Sequence, residues 1–494
     1  MRYIFVTPAG IVDSFTGESL DLTGLESLLL RKPGGVIAGN NLYPVLARLV
    51  PMIKSDYGWS ARLKLQQKKK HKTQRMGGAI YFTNLIYRFP KIRSKGKRFR
   101  PGSIKWVVLN LELFTETKDI ESAARALVGL AERRGIKPRH SPGAFGGSLL
   151  RASSQWERGR NPAPWFISDK ARQYLPGNYY AIRAGVQMVT VPRSYYLDQR
   201  SSHHSIASSV PLPHPRFLRA RGRLRAVERG RYPMWLPDPS IISNHVGLLC
   251  VVVECDHIPL KYEHLYPPWA RKKGKHVTWI WSPELRLLDR RVRLRWISAA
   301  LTSIHADPAL LEFAEWALVQ LRDHKHTAIK PALLAAYGLL GARTSREIDR
   351  YSVSGRPKPP RAETCTLPLI GDCYRSNVSN VRVPVTQNVV ARGVIESETR
   401  TRSIEYARQL EWEEGVRVNH IYADGLIVEA DQMPFLPQGW RIAGELTNVC
   451  SSSPNTIHSN EMIRTPGIPS GRRSVNIEPV QDSMQSLDIP WIEC

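Results

Sequence analysis

The sequence is poor in acidic residues and in cysteine. Its 494 residues contain 43 Asp and Glu against 71 Lys and Arg, which gives a formal net charge of +28. Such an excess argues against cationic partners and suits a polyanion such as nucleic acid. The 6 cysteines have neither paired CxxC spacing nor histidines at zinc-finger distances. The spacing therefore favours free thiols in a reducing cytoplasm over a zinc finger or a disulfide framework.

Long apolar runs are also missing. No stretch reaches the roughly 18–20 uninterrupted apolar residues of a membrane span, and the segment 1–6 is too short for a signal peptide. The composition, with 42% apolar and 23% charged residues, is that of a globular protein with two or three domains. We expect a monomeric cytoplasmic protein without membrane contacts.

The basic residues that are present cluster in runs beside aromatic side chains. Basic side chains that bind phosphates, next to aromatic rings that stack on bases, are typical of a groove that binds single-stranded nucleic acid. One run is Arg216–Arg231. Two others provide candidate DNA-binding residues: Lys68, Lys69, Lys70, Arg271, Lys272 and Lys273. The alternative for any single run is an ordinary solvated basic surface.

Three short strings in the second half carry two acids with a lysine between them. They are Asp198–Ser205, Lys330–Gly338 and His420–Val428. The first acid, Asp198, closes an apolar-aromatic run that predicts the end of a strand, and Asp424-Gly425 predicts a strand or a hairpin. Nucleotidyl transfer requires divalent ions held by carboxylates. Two Asp residues can suffice, because Mg²⁺ takes its other ligands from phosphates and water.

The middle string offers groups for a nucleotide. Lys330 can meet the phosphates, and Tyr337 lies two helical turns further on the same face, where it can stack against a base pair. Gly338 leaves room for close approach. Pro331 predicts that the helix begins or kinks at this point.

The first two strings resemble motifs of the family B DNA polymerases, most nearly of their protein-primed branch in phages and linear plasmids. The resemblance covers about residues 1–465. The family's first motif, D-x2-S-L-Y-P-S, matches at Asp198, Ser201 and Ser205, and His203 stands at the position of the family's Tyr. Its second motif, K-x3-N-S-x-Y-G, matches at Lys330, Tyr337 and Gly338, with Leu334 in place of the Asn.

The third string is similar to the family's Y-x-D-T-D-S motif in two registers. Anchoring on Tyr422 makes Asp424 the first family aspartate. Anchoring on the apolar tail 426–428 makes Asp424 the second aspartate, which is the metal ligand. We prefer the second register, because an active enzyme needs the ligand more than its neighbour.

The resemblance implies a mixed α/β and α+β fold, with a ribonuclease H-like, exonuclease-like domain before a right-hand polymerase. The implied boundaries are 1–185 for the exonuclease-like domain and 186–465 for the polymerase, followed by a loose tail at 466–494. The polymerase would comprise palm (186–260 and 385–430), first insertion (about 206–300), fingers (about 300–345), second insertion (346–384) and thumb (about 431–465).

The resemblance also implies roles for individual residues. Asp198 and Asp424 would bind two Mg²⁺ ions, which Mn²⁺ can replace. The nucleotide would be bound by Ser201, Ser202, His203, Lys330, Tyr337 and Gly338, and template DNA by Arg183 and Gly185, in addition to the lysine and arginine runs.

The exonuclease-like domain lacks the acids that its chemistry needs. The strand expected at 2–7 has no acid, Pro44 stands where the family has an Asp, and Asn110-Leu111-Glu112 comes late and begins with Asn. Such nucleases hold two metals with four carboxylates. We therefore expect no 3′–5′ proofreading.

The resulting hypothesis is a DNA polymerase that adds dNTPs 5′ to 3′ in phage or mobile-element replication in a host cell. Its partners would be template, primer and dNTPs, and the resemblance allows a terminal protein as primer. The alternative is an inactive polymerase-derived protein that binds nucleic acid. A third option, an RNA template or ribonucleotides, depends only on His203.

Each string also has a plain structural interpretation. Asp198 could cap a helix, Asp424-Gly425 could be an ordinary hairpin turn, and Lys330–Gly338 could be a simple surface helix. Paired His203-His204, taken as strand residues, would point to opposite faces and would not share a metal.

Coarse patterns predict the order of elements along the chain. We expect a helix at 120–135, a Gly/Pro/Ser-rich connector at 136–175 and several strands in 186–260. Residues 282–345 are predicted to be mostly helical, 346–384 to be an insertion and Thr386–Trp412 to be a helix.

Overall fold

The computed structural model of the protein describes part of the chain. The described residues are 3–7, 10–21, 24–25, 28, 35–40, 42, 60–67, 80–88, 103–115, 119–139, 141–157, 164–176, 180–184, 191–237, 244–324, 326–342, 344–352, 364–370, 373–382, 385–422, 424–430, 434–453, 456–458 and 463–464. They group into two compact units. The first unit contains residues 1–179, 199–258 and 266–406, and the second contains 180–198, 259–265 and 407–494.

The strands and helices have the following bounds. The strands are β1 (Tyr3–Thr7), β2 (Gly10–Asp13), β3 (Ser19–Leu20), β4 (Val36–Gly39), β5 (Ser60–Gln67), β6 (Ile80–Arg88), β7 (Ser103–Asn110), β8 (Tyr180–Ile182), β9 (Val191–Gln199), β10 (Arg219–Gly222), β11 (Val246–Cys255), β12 (Gly274–Trp281), β13 (Val292–Ser303), β14 (Thr344–Ser352), β15 (Thr364–Ile370), β16 (Cys373–Arg382), β17 (Arg417–Tyr422), β18 (Gly425–Glu429), β19 (Trp440–Ser453), β20 (Thr456–His458) and β21 (Ile463–Arg464). The helices are α1 (Ile120–Glu132), α2 (Pro142–Arg151), α3 (Trp165–Gln173), α4 (Ser202–Ser209), α5 (Leu224–Glu228), α6 (Pro308–Asp323), α7 (Ile329–Leu340) and α8 (Val389–Trp412).

The first unit begins with a seven-stranded mixed sheet. Its strand order is β3-β2-β1-β4-β7-β6-β5, in which β1, β4 and β7 run parallel and the other neighbours run antiparallel. Helix α1 contacts β1 and β4 with its apolar stripe, and Asp119 caps its first turn by accepting a hydrogen bond from the Ser122 amide. The helix predicted at 120–135 is therefore confirmed.

The connector predicted at 136–175 is wrong, because it contains α2 and α3. Ser141 caps α2, and Pro142 occupies its first turn, where a missing amide hydrogen costs nothing. Composition alone suggested a loop, since clusters of Pro, Gly and Ser are more common in turns and loops than at the start of a helix. Here the same residues form the cap and the close-packed face of a helix.

A four-stranded antiparallel sheet, in the order β10-β13-β11-β12, follows α4 in the first unit. Strand β13 contradicts the prediction that 282–345 is mostly helical. Its residues 292–297 alternate between core and surface, with Arg293 and Arg295 exposed, and this is the two-residue period of a half-buried strand. Further along, α6 and α7 are helical as predicted.

Within the predicted insertion, the backbone of β14, β15 and β16 forms a three-stranded antiparallel sheet. The helix predicted at Thr386–Trp412 is confirmed as α8. The core of the first unit joins β1, β4 and β7 to α1, α2, α4, α6, α7 and the start of α8 through buried aliphatic and aromatic side chains. No helix in the described part of the chain is long and apolar enough to cross a membrane.

The second unit is built on a second seven-stranded sheet. Its strand order is β21-β20-β19-β9-β18-β17-β8. Strands β17 and β18 form an antiparallel hairpin, and β18 pairs antiparallel with β9. Tyr196, Tyr422, Ile427, Leu446 and Val449 pack into its apolar core. The strand end at Asp198 and the hairpin at Asp424 are both confirmed as secondary structure.

Candidate functional site

The two predicted metal ligands lie at the ends of two neighbouring inner strands of the sheet in the second unit, on the edge where β9 ends and β18 begins. Asp198 is the penultimate residue of β9, and its register partner on β18 is Gly425. Asp424 directly precedes Gly425 in the turn between β17 and β18. Because paired antiparallel Cα atoms are about 4.5–5.5 Å apart, the two aspartates are near neighbours across adjacent strands. The structure thus brings together two acids that are remote in sequence.

The hairpin loop explains why glycine follows Asp424. Tyr422 pairs with Gly425, so the loop has two residues, the commonest hairpin length. A Cβ atom at Gly425 would lie 2.7 Å from the Tyr196 ring and 2.8 Å from the Leu197 carbonyl oxygen. Only glycine allows β18 to lie this close to β9. This close packing fixes the turn that carries Asp424 beside the strand that carries Asp198.

A third charged residue contacts this edge. Arg441, at the start of β19, donates hydrogen bonds from Nη2 and Nε to Oδ2 of Asp198, at 2.7 Å and 3.2 Å. The Asp198 side chain is 14% exposed and the Arg441 side chain 46%. The predicted ligand is therefore neutralised by a guanidinium from the neighbouring strand. Sequence inspection did not find Arg441, since it belongs to none of the three strings.

The carboxylate oxygens of Asp198 and Asp424 are of the donor type that binds magnesium. Carboxylate oxygens are hard ligands, and Mg²⁺ usually takes only one or two from a protein. Among the described residues, no cluster of three or more His, Cys, Asp or Glu side chains could hold a metal. Asp198 and Asp424 would fit an ion whose remaining ligands are phosphate and water, and Arg441 would have to release Oδ2 of Asp198 before the ion could use that oxygen.

The predicted nucleotide-binding residues lie in the first unit, on α4 and α7. His203 and His204 are helical, so the prediction that they alternate along a strand is wrong. Ser201 adopts a left-handed backbone conformation, φ 48°, which turns the chain from β9 into α4. The Ser202 hydroxyl lies 3.3 Å from Nδ1 of His203. On α7, Lys330 and Gly338 are exposed.

Tyr337 lies inside the first unit and only 3% of it is exposed. Its ring meets His204 edge-on at 5.0 Å between centroids and Phe313 at 5.8 Å, and the His203 ring is 6.0 Å away. Burial, together with the charges of His203 and Lys330, lowers the pKa of His204 to about 3. The structure therefore packs His204 and Tyr337 together beside His203, and the charge of Lys330 is near enough to contribute to the lowered pKa of His204. Stacking of Tyr337 on a base pair stays a prediction.

Arg183, a predicted template contact, forms an ion pair with Glu411 inside the second unit. Burial alone would raise the pKa of Glu411, but His264, whose Nε2 lies 3.8 Å from Oε1, the hydrogen bond from the Val418 amide and the charge of Arg183 lower it. The Arg183 amide also donates to the Asn419 carbonyl at 2.9 Å. Glu411 is a second residue that sequence inspection missed, since nothing local distinguishes it from other acids of α8.

Only some of the remaining predicted DNA-binding residues lie in the part of the chain that the structure describes. Lys272 and Lys273 are exposed before β12, and Arg271 donates to the Tyr266 carbonyl oxygen at 3.0 Å. Lys68, Lys69, Lys70 and Gly185 lie outside the described residues, as does Pro44. Their roles stay predictions.

The run Arg216–Arg231 forms a basic strip on the first unit, across β10 and α5. It contains seven arginines and one acid, Glu228. The exposed members are Arg216, Arg219, Arg223, Arg225, Arg229 and Arg231. None of Arg223, Arg225, Arg229 and Arg231 forms an ion pair with a described residue. The strip is therefore available to an external anion.

The described ends of the parallel strands β1, β4 and β7 carry no carboxylate. In the sheet register Val6 lies beside Gly39, and Gly39 lies beside Asn110. The residues at these ends are Thr7, Asn40 and Asn110. Asp13, on the antiparallel strand β2, is buried and accepts a hydrogen bond from the Phe15 amide. Its carboxylate supports a turn.

Comparison with solved structures identifies the fold. A complex of Phi29 DNA polymerase with primer-template DNA has a TM-score of 0.57 and 12% identity, over 97% of this chain and 95% of that chain. Its ternary complex with primer-template DNA and incoming nucleotides has a TM-score of 0.55 and 11% identity, over 94% and 89%. A complex with single-stranded DNA scores 0.52 at 12% identity, over 96% and 92%. No protein-family model and no curated protein matches the sequence. Over nearly its whole length, the chain therefore has the mixed α/β fold of Phi29 DNA polymerase.

Proposed function

We propose that this protein is a template-directed DNA polymerase that adds dNTPs to a primer in the 5′-to-3′ direction. One observation carries the proposal: Asp198 and Asp424 meet at one sheet edge within a fold shared with Phi29 DNA polymerase. Structures of that polymerase contain primer-template DNA and incoming nucleotides. The same partners are proposed for this chain.

In this mechanism, Asp198 and Asp424 would hold Mg²⁺. Magnesium, when bound, would neutralise the triphosphate and activate the primer hydroxyl. Lys330, exposed in the first turn of α7, would meet the phosphates with its ammonium group. Ser201, Ser202 and His203, at the start of α4, would contact the nucleotide, and exposed Gly338 would leave room for it. Tyr337 would act from beneath this surface by fixing α4 against α7.

The domain assignments form part of the proposal. Residues 1–185 would be a ribonuclease H-like domain without proofreading, supported by the mixed sheet and by Thr7, Asn40 and Asn110 at the ends of β1, β4 and β7. Residues 186–465 would supply palm, insertions, fingers and thumb. A phage or mobile-element context, a terminal protein as primer, a monomeric state and a cytoplasmic location follow only from the resemblance to the protein-primed branch.

A second candidate is a DNA-binding protein derived from a polymerase that has lost catalysis. The ion pair between Arg441 and Asp198 favours it, because the carboxylate already has a counter-charge. Under this alternative, the basic strip and the fold would serve binding alone.

Primer extension separates the two candidates. The full chain is incubated with primed DNA, Mg²⁺ or Mn²⁺ and dNTPs, and is compared with Asp424→Asn. The control is Asp323→Asn, the same change at an acid in the last turn of α6 that forms an ion pair with its neighbour Arg322. We expect extension by the wild type and the control, and at least a hundredfold loss in Asp424→Asn.

Tight DNA binding without extension by the wild type would reject catalysis and leave the binding protein. The same reactions without dNTPs test proofreading. We expect the labelled primer to keep its length, and shortening from its 3′ end would contradict the loss of exonuclease chemistry.

A further inference from the structure

The ion pair between Arg441 and Asp198 has a consequence for how the site takes a cation. We propose that Arg441 is a positioning residue that competes with a divalent cation for the Asp198 carboxylate. The inference depends on the metal site in the proposed function. It adds a residue from β19 that must release Oδ2 of Asp198 before a cation can bind to that oxygen.

The hydrogen-bond geometry makes the competition direct. Nη2 and Nε of Arg441 both donate to Oδ2 of Asp198. A carboxylate oxygen has about two lone-pair directions, and two N–H donors fill both of them. Mg²⁺ requires its oxygen ligands at about 2.0–2.1 Å in near-octahedral geometry. This oxygen cannot serve the guanidinium and the cation together.

The difference in exposure shows which partner moves. Asp198 is held within β9 and is 14% exposed, whereas the Arg441 side chain is 46% exposed. A guanidinium on a flexible stem can return to water at little cost. A nearly buried carboxylate that loses its partner is strongly disfavoured unless another cation replaces it. Departure of Arg441 and arrival of a cation are therefore expected to be coupled.

The same two strands provide a matched comparison. Arg193 on β9 and Glu445 on β19 form an ion pair at 2.8 Å, with both side chains about half exposed. Removing Arg193 changes the charge by the same amount, on the same sheet, without touching a proposed ligand. Any effect specific to Arg441 therefore reports on Asp198, and general electrostatics or sheet stability would affect both variants.

The experiment measures Mn²⁺ binding to the full chain by the electron paramagnetic resonance signal of free Mn²⁺, without DNA or nucleotide. The proteins are the wild type, Arg441→Gln, Arg193→Gln and Asp424→Asn. We expect Arg441→Gln to bind Mn²⁺ roughly tenfold more tightly than both the wild type and Arg193→Gln, which is the scale of one lost charge-assisted hydrogen bond. Asp424→Asn should lose the site.

Two results would overturn the inference, and they differ in what they leave standing. Equal affinities of Arg441→Gln and Arg193→Gln, with loss in Asp424→Asn, would reject competition by Arg441 and keep the metal site. Absence of binding in every variant, Arg441→Gln included, would reject the metal site and the inference with it.

A second variant covers the case in which Arg441→Gln fails to fold, as judged by its melting temperature. Arg441→Lys keeps the positive charge but replaces the planar fork with a single ammonium group. We expect it to bind Mn²⁺ about two- to threefold more tightly than the wild type, because one ammonium cannot hold both lone-pair directions. Unchanged affinity in this variant would overturn the proposal.

Discussion

At the scale of single residues, the first unit contains a polar pair in an apolar core. Both ring nitrogens of His204 and the hydroxyl of Tyr337 are buried without a hydrogen-bond partner. Burial also raises the pKa of Tyr337, so this hydroxyl stays neutral. Unsatisfied buried polar groups each cost about 1–3 kcal/mol. The rings compensate by packing edge-on against each other and against Phe313.

His204 should make the protein sensitive to acid. Its folded pKa of about 3 lies below the ordinary value of 6.5, so the unfolded chain binds the proton more readily. The free energy of unfolding should therefore fall as the pH drops from 6.5 toward 3, by up to about 1.4 kcal/mol per pH unit from this group. His204→Leu should flatten this dependence, as measured by urea denaturation at pH 7, 6, 5 and 4.

Tyr337→Phe is the control for this prediction. It removes the other unpartnered polar group without removing a group that titrates in this range. We expect the unfolding free energy to rise by about 1 kcal/mol and the slope with pH to match that of the wild type. Equal slopes in His204→Leu and the wild type would show that His204 is not the source of acid sensitivity.

At the scale of elements, the contact between α2 and α7 depends on one glycine. A Cβ atom at Gly146 would lie 2.6 Å from both the Ala332 carbonyl oxygen and the Ala336 amide nitrogen. Backbone atoms cannot turn aside as a flexible side chain can, so the helices would have to separate. Since α7 carries Lys330, Tyr337 and Gly338, this contact also fixes the helix of the proposed nucleotide site.

Gly146→Ala should destabilise the protein by about 1–3 kcal/mol through overpacking. Gly143→Ala, three residues earlier on α2, is the matched control because nothing lies within 4 Å of its new Cβ atom. Alanine favours helix over glycine by up to about 1 kcal/mol, so the control should be neutral or stabilising. Chemical denaturation measures both, and equal stabilities would contradict a close α2–α7 contact.

The elements also show where sequence patterns succeed. Helices α1 and α8 were predictable because their apolar periodicity or length is clear within one segment. The hairpin at Asp424-Gly425 was predictable from its turn chemistry. Helix α2 was missed because its glycines are needed for close packing against α7, which is distant in sequence. Strand β13 was missed because the two-residue alternation of its charged outer face is short.

At the scale of the whole molecule, the net charge of +28 is partly organised into one surface. The basic strip of Arg216–Arg231 extends across β10 and α5 beside the four-stranded sheet. On β13 of the same sheet, Arg293 and Arg295 are already paired with Asp256 and Glu254. The first unit therefore has arginines without an acidic partner, in the basic strip, and arginines that are paired with acids, on β13. Only the arginines of the basic strip have an uncompensated charge for DNA.

Substitution of Arg223 and Arg225 by Gln should weaken binding to single-stranded DNA and reduce its salt dependence. Each phosphate contact contributes about 0.7 to the slope of log K against log salt for single strands. We expect the double variant to lower the slope by roughly 1.4. Fluorescence anisotropy titrations between about 50 and 300 mM NaCl, where log K is linear in log salt, measure this change.

The double variant Arg293→Gln, Arg295→Gln is the comparison, with the same change in net charge. Its slope should stay close to that of the wild type, because its arginines are engaged with acids on the sheet. A similar loss of slope in both double variants would mean that DNA responds to total charge, and the basic strip would lose its assigned role.

Local chemistry can be read directly from the sequence: a basic molecule, a strand that ends near Asp198, a hairpin that carries Asp424 and a helix that begins near Lys330. Each of these follows from composition, a short period or turn residues, which act within a few positions. The folded chain alone shows that Asp198 lies beside the Asp424 turn, that Arg441 neutralises Asp198 and that Tyr337 is buried against His204. Such contacts depend on strand order, register and helix packing, which join residues from distant parts of the chain and leave no mark in any one of them.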